Sequence, residues 1–171
     1  AWSKPEHLVR WFGPNDFRRK SLDGLGDDWP ISYDDLAPYY DRVDDLIGIF
    51  GSAEGLPNEP DGHFLPAPRP RCYELLVKQA CDNLKVACIP ARLSILTQPL
   101  GNRPACHYCG QCNRGCAVNA NFSSTNVLLP PAMATGRLTM ITNAMAREVT
   151  LGSNGLADGV TYVDKATGTD R

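Results

Sequence analysis

The sequence predicts an α+β fold. Two stretches with helical periodicity fill its first half, strand-like alternation fills its C-terminal end, and a run of four cysteines in eleven residues lies between them. Residues 1–31 are rich in turn formers, Gly13-Pro14-Asn15-Asp16 and Asp23-Gly24-Leu25-Gly26-Asp27-Asp28, with Trp2, Trp11, Phe12, Phe17 and Trp29 scattered among them, so they read as an irregular segment packing over another surface. A helix follows. Ser32 and Asp35 have capping-box spacing, and Leu36, Tyr40, Val43 and Ile47 recur on one face up to Gly48, with Pro38 expected to divide a first turn from the main helix. The proline-rich residues 51–71 read as an extended surface loop ending at Arg69-Pro70-Arg71. A second helix is expected over 72–86, its apolar stripe being Cys72, Leu75, Leu76, Ala80 and Leu84. An extended run, Ala91 to Leu96, comes next. Beyond the cysteines, Ser123 or Ser124 can cap a short helix through Met133, interrupted at Pro130-Pro131 and closed by Gly136. Three strands follow, Arg137 to Thr142, Met145 to Leu151 and Val160 to Asp164, with Gly152-Ser153-Asn154-Gly155 as the hairpin turn between the last two.

Composition narrows the function. The chain has 171 residues, 43% of them hydrophobic, enough for a core of its own. Its 17 basic and 19 acidic residues balance to a formal charge of -2, and no basic stripe interleaves with aromatics, so nucleic acid is not an expected partner. Arg18-Arg19-Lys20 reads as a solvated face. No apolar stretch reaches the roughly 20 residues that span a bilayer. The ends, Ala1-Trp2 and Thr169-Asp170-Arg171, read as positions inside a larger protein. No G-x-G-x-x-G, P-loop, H-E-x-x-H or G-x-S-x-G occurs, so the segment carries no nucleotide fingerprint or hydrolase motif. His7 and His63 read as structural, and the pairs Asp27-Asp28, Asp34-Asp35 and Asp44-Asp45 as solvated surface.

The run Cys106-His-Tyr-Cys109-Gly-Gln-Cys112-Asn-Arg-Gly-Cys116 is where chemistry concentrates. Thiolate is a soft ligand suited to zinc and to iron–sulfur clusters. Zinc sites pair two close ligands with two more a dozen or more residues away, and no second pair exists here. The spacing C-x2-C-x2-C-x3-C instead matches an iron–sulfur run, with Gly110 and Gly115 allowing the loop to curl around a bulky cluster. Four ligands, Cys106, Cys109, Cys112 and Cys116, suit [4Fe–4S]; without Cys109 the remaining C-x5-C-x3-C suits [3Fe–4S]. Zinc, disulfides and unligated thiols are the alternatives. Cys72, Cys81 and Cys88 sit among apolar residues and are expected in the core. His107 is expected to face solvent or to donate a hydrogen bond behind the thiolates.

Around the cysteines the text resembles a known family. Arg10-Trp11-Phe12-Gly13-Pro14-Asn15-Asp16-Phe17, then Asp28-Trp29-Pro30-Ile31-Ser32-Tyr33-Asp34-Asp35-Leu36-Ala37-Pro38-Tyr39-Tyr40, then Asn102 to Cys116, Ser123 to Pro131 and Arg137 to Ala146 are similar, in order, to the glucose–methanol–choline (GMC) flavoprotein oxidoreductases, in particular the bacterial sugar and gluconate dehydrogenase branch. The resemblance implies an internal portion of a GMC-type fold, in which a Rossmann-like FAD domain is interrupted by insertions that build a substrate domain. Residues 1–27 would pack on the FAD domain, 28–122 would be substrate-domain portion with the cysteine cluster, and 123–171 would return to the FAD domain. There a residue matching Ala146 touches the adenine of FAD through its backbone. The family places its Gly-rich pyrophosphate loop before Ala1 and its catalytic His after Arg171. The segment then holds no catalytic residue, and it is not expected to be active alone. Relatives of this branch hold [3Fe–4S] on C-x5-C-x3-C cysteines, matching Cys106, Cys112 and Cys116.

The implied reaction is hydride transfer from a sugar or polyol C–H to flavin N5, followed by one-electron steps through the cluster to a cytochrome or quinone. The resemblance also implies a small partner subunit and a periplasmic location, with a cytoplasmic one as the alternative. Without the resemblance, a stand-alone iron–sulfur or zinc module lacking chemistry of its own is the competing reading.

Overall fold

The computed structural model describes residues 12–171. Trp2, His7 and Trp11 lie outside the described residues. Helices and strands are both present, as α+β requires, and the chain divides into two compact units, residues 1–129 and 130–171.

In the first unit, Phe12, Phe17 and Trp29 form a ring cluster with centroids 5.8–6.2 Å apart. The segment is less irregular than expected: a 3-10 turn (Pro14–Arg18) leads into a short helix, α1 (Arg19–Asp23). Pro14 begins that turn, where a missing N–H costs nothing, and Phe17 is buried by it. The Arg18-Arg19-Lys20 run is the solvated face anticipated, pairing at the surface with Asp28, Asp23 and Asp27.

Helix α2 (Tyr33–Ile47) starts on the expected capping box: Asp35 N–H donates to Ser32 Oγ at 3.3 Å, and Ser32 N–H donates to Asp35 Oδ2 at 2.8 Å. Pro38 does not divide it. The rings of Tyr33 and Tyr40, seven residues apart on the helix, stack with centroids 5.9 Å apart. The helix also hides a polar group. Asp44 is 1% exposed, which corrects the reading of Asp44-Asp45 as solvated surface; Asp45 does remain exposed.

Gly48 closes α2 at a position where any side chain would be strained. Its φ is +75°, and a Cβ there would lie 2.2 Å from Leu96 Cδ2. The chain then enters β1 (Ile49–Gly51), which pairs in parallel with β2 (Phe64–Pro66). The proline-rich loop thus contains a strand, with Pro66 at its last position, where the lost donor matters least. Arg92 anchors the rest of that loop: it donates to the Glu59 and Pro60 carbonyls and to Asp61 Oδ1 at 3.0 Å, and lies 4.7 Å from the centroid of Phe64. On its other edge β1 bridges the anticipated extended run, Phe50 to Leu93 and back at 2.9 and 3.3 Å. Ile47, Ile49, Phe50, Leu96 and Ala120 form the core.

Helix α3 (Cys72–Asn83) is present but buries nothing. Leu75, Leu76 and Leu84 of its stripe are more than half exposed, and Cys72 is exposed with Cys81 and Cys88 half-exposed, so the expectation of three core thiols fails. Amphipathic spacing supplies a face but not the surface that covers it.

Ser123 caps the next helical stretch through Asn126 N–H at 3.3 Å. A π turn (Ser124–Leu128) runs into α4 (Leu129–Ala134), so Pro130-Pro131 open the regular helix rather than interrupt it. The wider turn is closed by Leu129 N–H donating to the Ser124 carbonyl. Gly136 ends it, with φ +69°. In the second unit, β3 (Ala144–Leu151) and β4 (Ala157–Asp164) form the expected antiparallel hairpin around Gly152–Gly155. Residues 137–142 are not a strand. Their alternation fits one, but a strand exists only where a ladder partner lies alongside.

Candidate functional site

The cysteine loop grows from a buried base. Leu96 N–H donates to the Ala120 carbonyl at 2.9 Å, and Cys106 N–H donates to the Leu96 carbonyl at 2.8 Å, so one residue pins both ends of the loop. Phe122 N–H to Ser94 O, at 2.9 Å, extends the seam. Ser94, Leu96 and Ala120 are fully buried. A tight turn, Leu100 to Arg103 with reciprocal bonds of 3.0 and 3.1 Å, then delivers Arg103 beneath the loop.

Arg103 is the functional-site residue that motif reasoning missed. It is 8% exposed, and its guanidinium donates to the Asn119 carbonyl at 2.9 Å, the Ile47 carbonyl at 2.8 Å and the Ala120 carbonyl at 3.5 Å. It thereby ties the end of α2 to the end of the loop. Burial lowers its pKa from the usual arginine value, while the nearby Cys116, when ionised, acts the other way. In the sequence it stood within the stretch Asn102 to Cys116 that resembles the family, with no role of its own assigned to it.

The loop places Cys106, Cys109 and Cys116 near enough to Cys112 for their charges to act on it. Gly110 (φ +72°) and Gly115 (φ +94°) supply the left-handed bends expected of them, and Tyr108 (φ +58°) supplies a third. That bend aims Tyr108 N–H at Cys106 Sγ, 3.3 Å away, and Asn121 N–H points at Cys116 Sγ, 3.5 Å away. Burial alone would raise the Cys116 pKa, but amide donors, Asn121 first, outweigh it and lower the value. Cys112 shifts up, because it is partly buried and shares its space with the charges of Cys106, Cys109 and Cys116. Exposure separates the set: Cys106, Cys112 and Cys116 are half-buried, whereas Cys109 is exposed. His107 is exposed, as expected.

Among the described residues, no three His, Cys, Asp or Glu side chains converge on a point that could hold one metal ion. The loop gathers its thiols without a preformed cage. The donor set still fits an iron–sulfur group chemically, through soft thiols on one short loop and backbone N–H groups turned toward two of the sulfurs. None of the seven cysteines is in a disulfide.

Ala146 lies in the second unit, exposed on β3 opposite Tyr162, at the residue before the ladder breaks register. Back in the first unit, His63 Nδ1 lies 3.0 Å from Asp45 Oδ2, and the backbone N–H of His63 donates to Asp44 Oδ2 at 3.2 Å. These three residues line a shallow cavity of about 190 Å³ with Gly48, Phe64, Leu65 and Leu100. Asp45 raises the His63 pKa, with smaller contributions from Asp41 and Asp44. Among the described residues, no helix is long and apolar enough to cross a membrane.

The GMC oxidoreductase family model matches residues 29–171, which takes in α2, the cysteine loop and the hairpin. The chain belongs to the GMC oxidoreductase family. It is 34% identical to a 2-methyl-1,2-propanediol dehydrogenase of Mycolicibacterium austroafricanum over 92% of this chain and 29% of that protein. It is 28% identical to a paromamine 6'-oxidase of Streptomyces fradiae over 90% of this chain and 28% of that protein. A fructose dehydrogenase large subunit of Gluconobacter japonicus is 28% identical over 64% of this chain and 21% of its own length. The chain thus spans less than a third of these relatives. The stand-alone metal-binding module finds no support in these matches.

Proposed function

We propose that this chain is the part of an FAD-dependent dehydrogenase, oxidising a CH–OH group of a sugar or polyol, that carries an iron–sulfur relay. The observation that carries the reading is the four-cysteine loop on its buried base, Leu96 and Arg103, inside a GMC framework. Dehydrogenases of a diol and of fructose among the relatives support the substrate class, and the name of the latter as a large subunit supports a smaller partner subunit. A cytochrome or quinone would suit as acceptor, since it takes electrons singly. The reading is compatible with residues 28–122 as substrate-domain portion and 123–171 as part of the FAD domain, and the family resemblance favours a periplasmic site.

When bound, FAD would take hydride from the substrate carbon and the cluster would pass electrons onward one at a time. The residues of this chain hold and orient. Cys106, Cys112 and Cys116 would ligate, being the half-buried members of the set. Tyr108 and Asn121 N–H groups offset negative charge on Cys106 and Cys116. Arg103 fixes the loop's C-terminal end. Ala146, exposed on β3, would offer its backbone to the adenine.

The test is iron and sulfide analysis, with EPR, on the full-length protein prepared without oxygen. Cys112→Ser should lose the native signal and most of the iron. Cys109→Ser should keep both. Loss of the native signal in Cys109→Ser would convert the site to four ligands, and stoichiometric zinc without iron would overturn the relay.

A further inference from the structure

Arg103 sits at one end of a chain of contacts that finishes on a sulfur. The Ala120 carbonyl and the Asn121 N–H are the two sides of one peptide group. Its oxygen accepts from Leu96 N–H at 2.9 Å and from Arg103 Nη2 at 3.5 Å, and its N–H donates to Cys116 Sγ at 3.5 Å. This peptide is buried, Ala120 being 0% and Asn121 6% exposed. Resonance couples its two sides, so donors crowding the oxygen make the N–H a stronger donor toward the sulfur. The route also bounds a distance: Arg103 Nη2 lies within about 9 Å of Cys116 Sγ.

The positive charge of Arg103 has no acid to answer it. Among the described residues its hydrogen bonds all go to carbonyls, those of Ile47, Asn119 and Ala120, and none to a carboxylate. Arg103 is buried, so water screens the charge weakly. At the other end of the loop the donor to Cys106 Sγ is Tyr108 N–H, on a peptide between two exposed residues, His107 and Tyr108. Cys116 is the thiol set against a buried cation.

We propose, building on the iron–sulfur reading of the loop, that Arg103 is a positioning residue that raises the reduction potential of the iron–sulfur group by acting on Cys116 through the 120–121 peptide. Reduction by one electron adds a negative charge to a thiolate-bound group, and a fixed cation nearby favours that form. At an effective dielectric of about 20, a unit charge about 9 Å away changes the equilibrium by at least about tenfold.

The experiment is an EPR-monitored redox titration of the full-length protein, prepared without oxygen, as wild type, Arg103→Gln and Arg103→Lys. The midpoint is read on whatever iron–sulfur group is present, so partial iron loss does not move it. Arg103→Gln keeps amide donors and removes the charge; at the wild-type midpoint its ratio of reduced to oxidised form should fall at least about tenfold, which is about 59 mV for a one-electron couple. Arg103→Lys keeps the charge and should stay within about threefold of wild type. The gap between wild type and Gln should persist in high salt, since a buried charge is screened little. A Gln variant with the wild-type midpoint, a Lys variant shifted as far as Gln, or loss of the group from both variants would overturn the role. If the Gln variant fails to fold, the Lys variant decides: a retained midpoint supports the role and a tenfold fall overturns it. Wild type without iron would sink the iron–sulfur reading itself, and that failure is seen before any variant is measured.

Discussion

Arg103 joins three backbone carbonyls from two parts of the chain, and its removal would take a donor from the Ile47 and Asn119 carbonyls, while Ala120 keeps the Leu96 N–H. Arg103→Met keeps the apolar stem but removes the guanidinium, so denaturant unfolding of the full-length protein should show a loss of about 1–3 kcal/mol, as for other buried groups left unsatisfied. Iron retention should drop with it, because the Asn119 and Ala120 end of the loop is freed. His63 carries a smaller, pH-dependent contribution. Its pKa is raised above the usual 6.5, first by the hydrogen bond to Asp45, then by the charges of Asp45, Asp41 and Asp44. The stability gained from its protonated form is therefore fully present below 6.5 and disappears as pH rises through the raised value. Thermal midpoints of wild type and His63→Gln should differ most on the acid side of that window and converge above it. The pair is exposed, so added salt should shrink the difference. Neither residue announced itself in the sequence: a lone arginine and a lone histidine acquire meaning only from partners 16 to 56 and 18 to 19 positions away.

Helix α2 shows which features of an element were legible and which were not. Its start and end are local matters, Ser32 with Asp35 and Gly48 with its own φ, and both were readable. Ser32→Ala should cost about 1 kcal/mol by removing the cap. Gly48→Ala should cost more, since it adds a strained positive φ to a Cβ placed 2.2 Å from Leu96 Cδ2, and comparing the two midpoints in one denaturant series checks the order. Continuity through Pro38 was not readable, because a proline within a helical pattern reads as a boundary while the helix runs unbroken from Tyr33 to Ile47. Strand β2 escaped notice for a similar reason: three residues between prolines become a strand only because β1 lies parallel to them. The cysteine loop was the opposite case. Its spacing and glycines revealed the bends directly, while the base that holds it depends on pairings from Leu96 to Ala120 and from Ser94 to Phe122.

At the scale of the molecule, apolar surface remains on elements whose patterns are those of buried ones. Leu75 and Leu76 on α3 and Leu84 at its C-cap are 52%, 67% and 74% exposed, and Leu138 and Met140 alternate like a strand with no ladder partner. The chain spans less than a third of its relatives, so the pattern and the exposure agree if such faces are covered by other parts of a longer GMC protein. Periodicity records the environment in which a sequence folds, and residues 137–142 were read as a strand because of it. Hydrogen exchange can separate pattern from neighbour. Amides of 137–142 should exchange fast in the 171-residue chain by itself, where no ladder bonds protect them, and should slow by about 100-fold or more in the full-length protein if a flanking strand supplies the ladder. The β3–β4 hairpin is the internal control, since its two strands pair with each other within this chain. Equal exchange at 137–142 in the two proteins, with the hairpin unchanged, would mean that the alternation there never serves a sheet, and the assignment of this stretch to the FAD domain would fall with it.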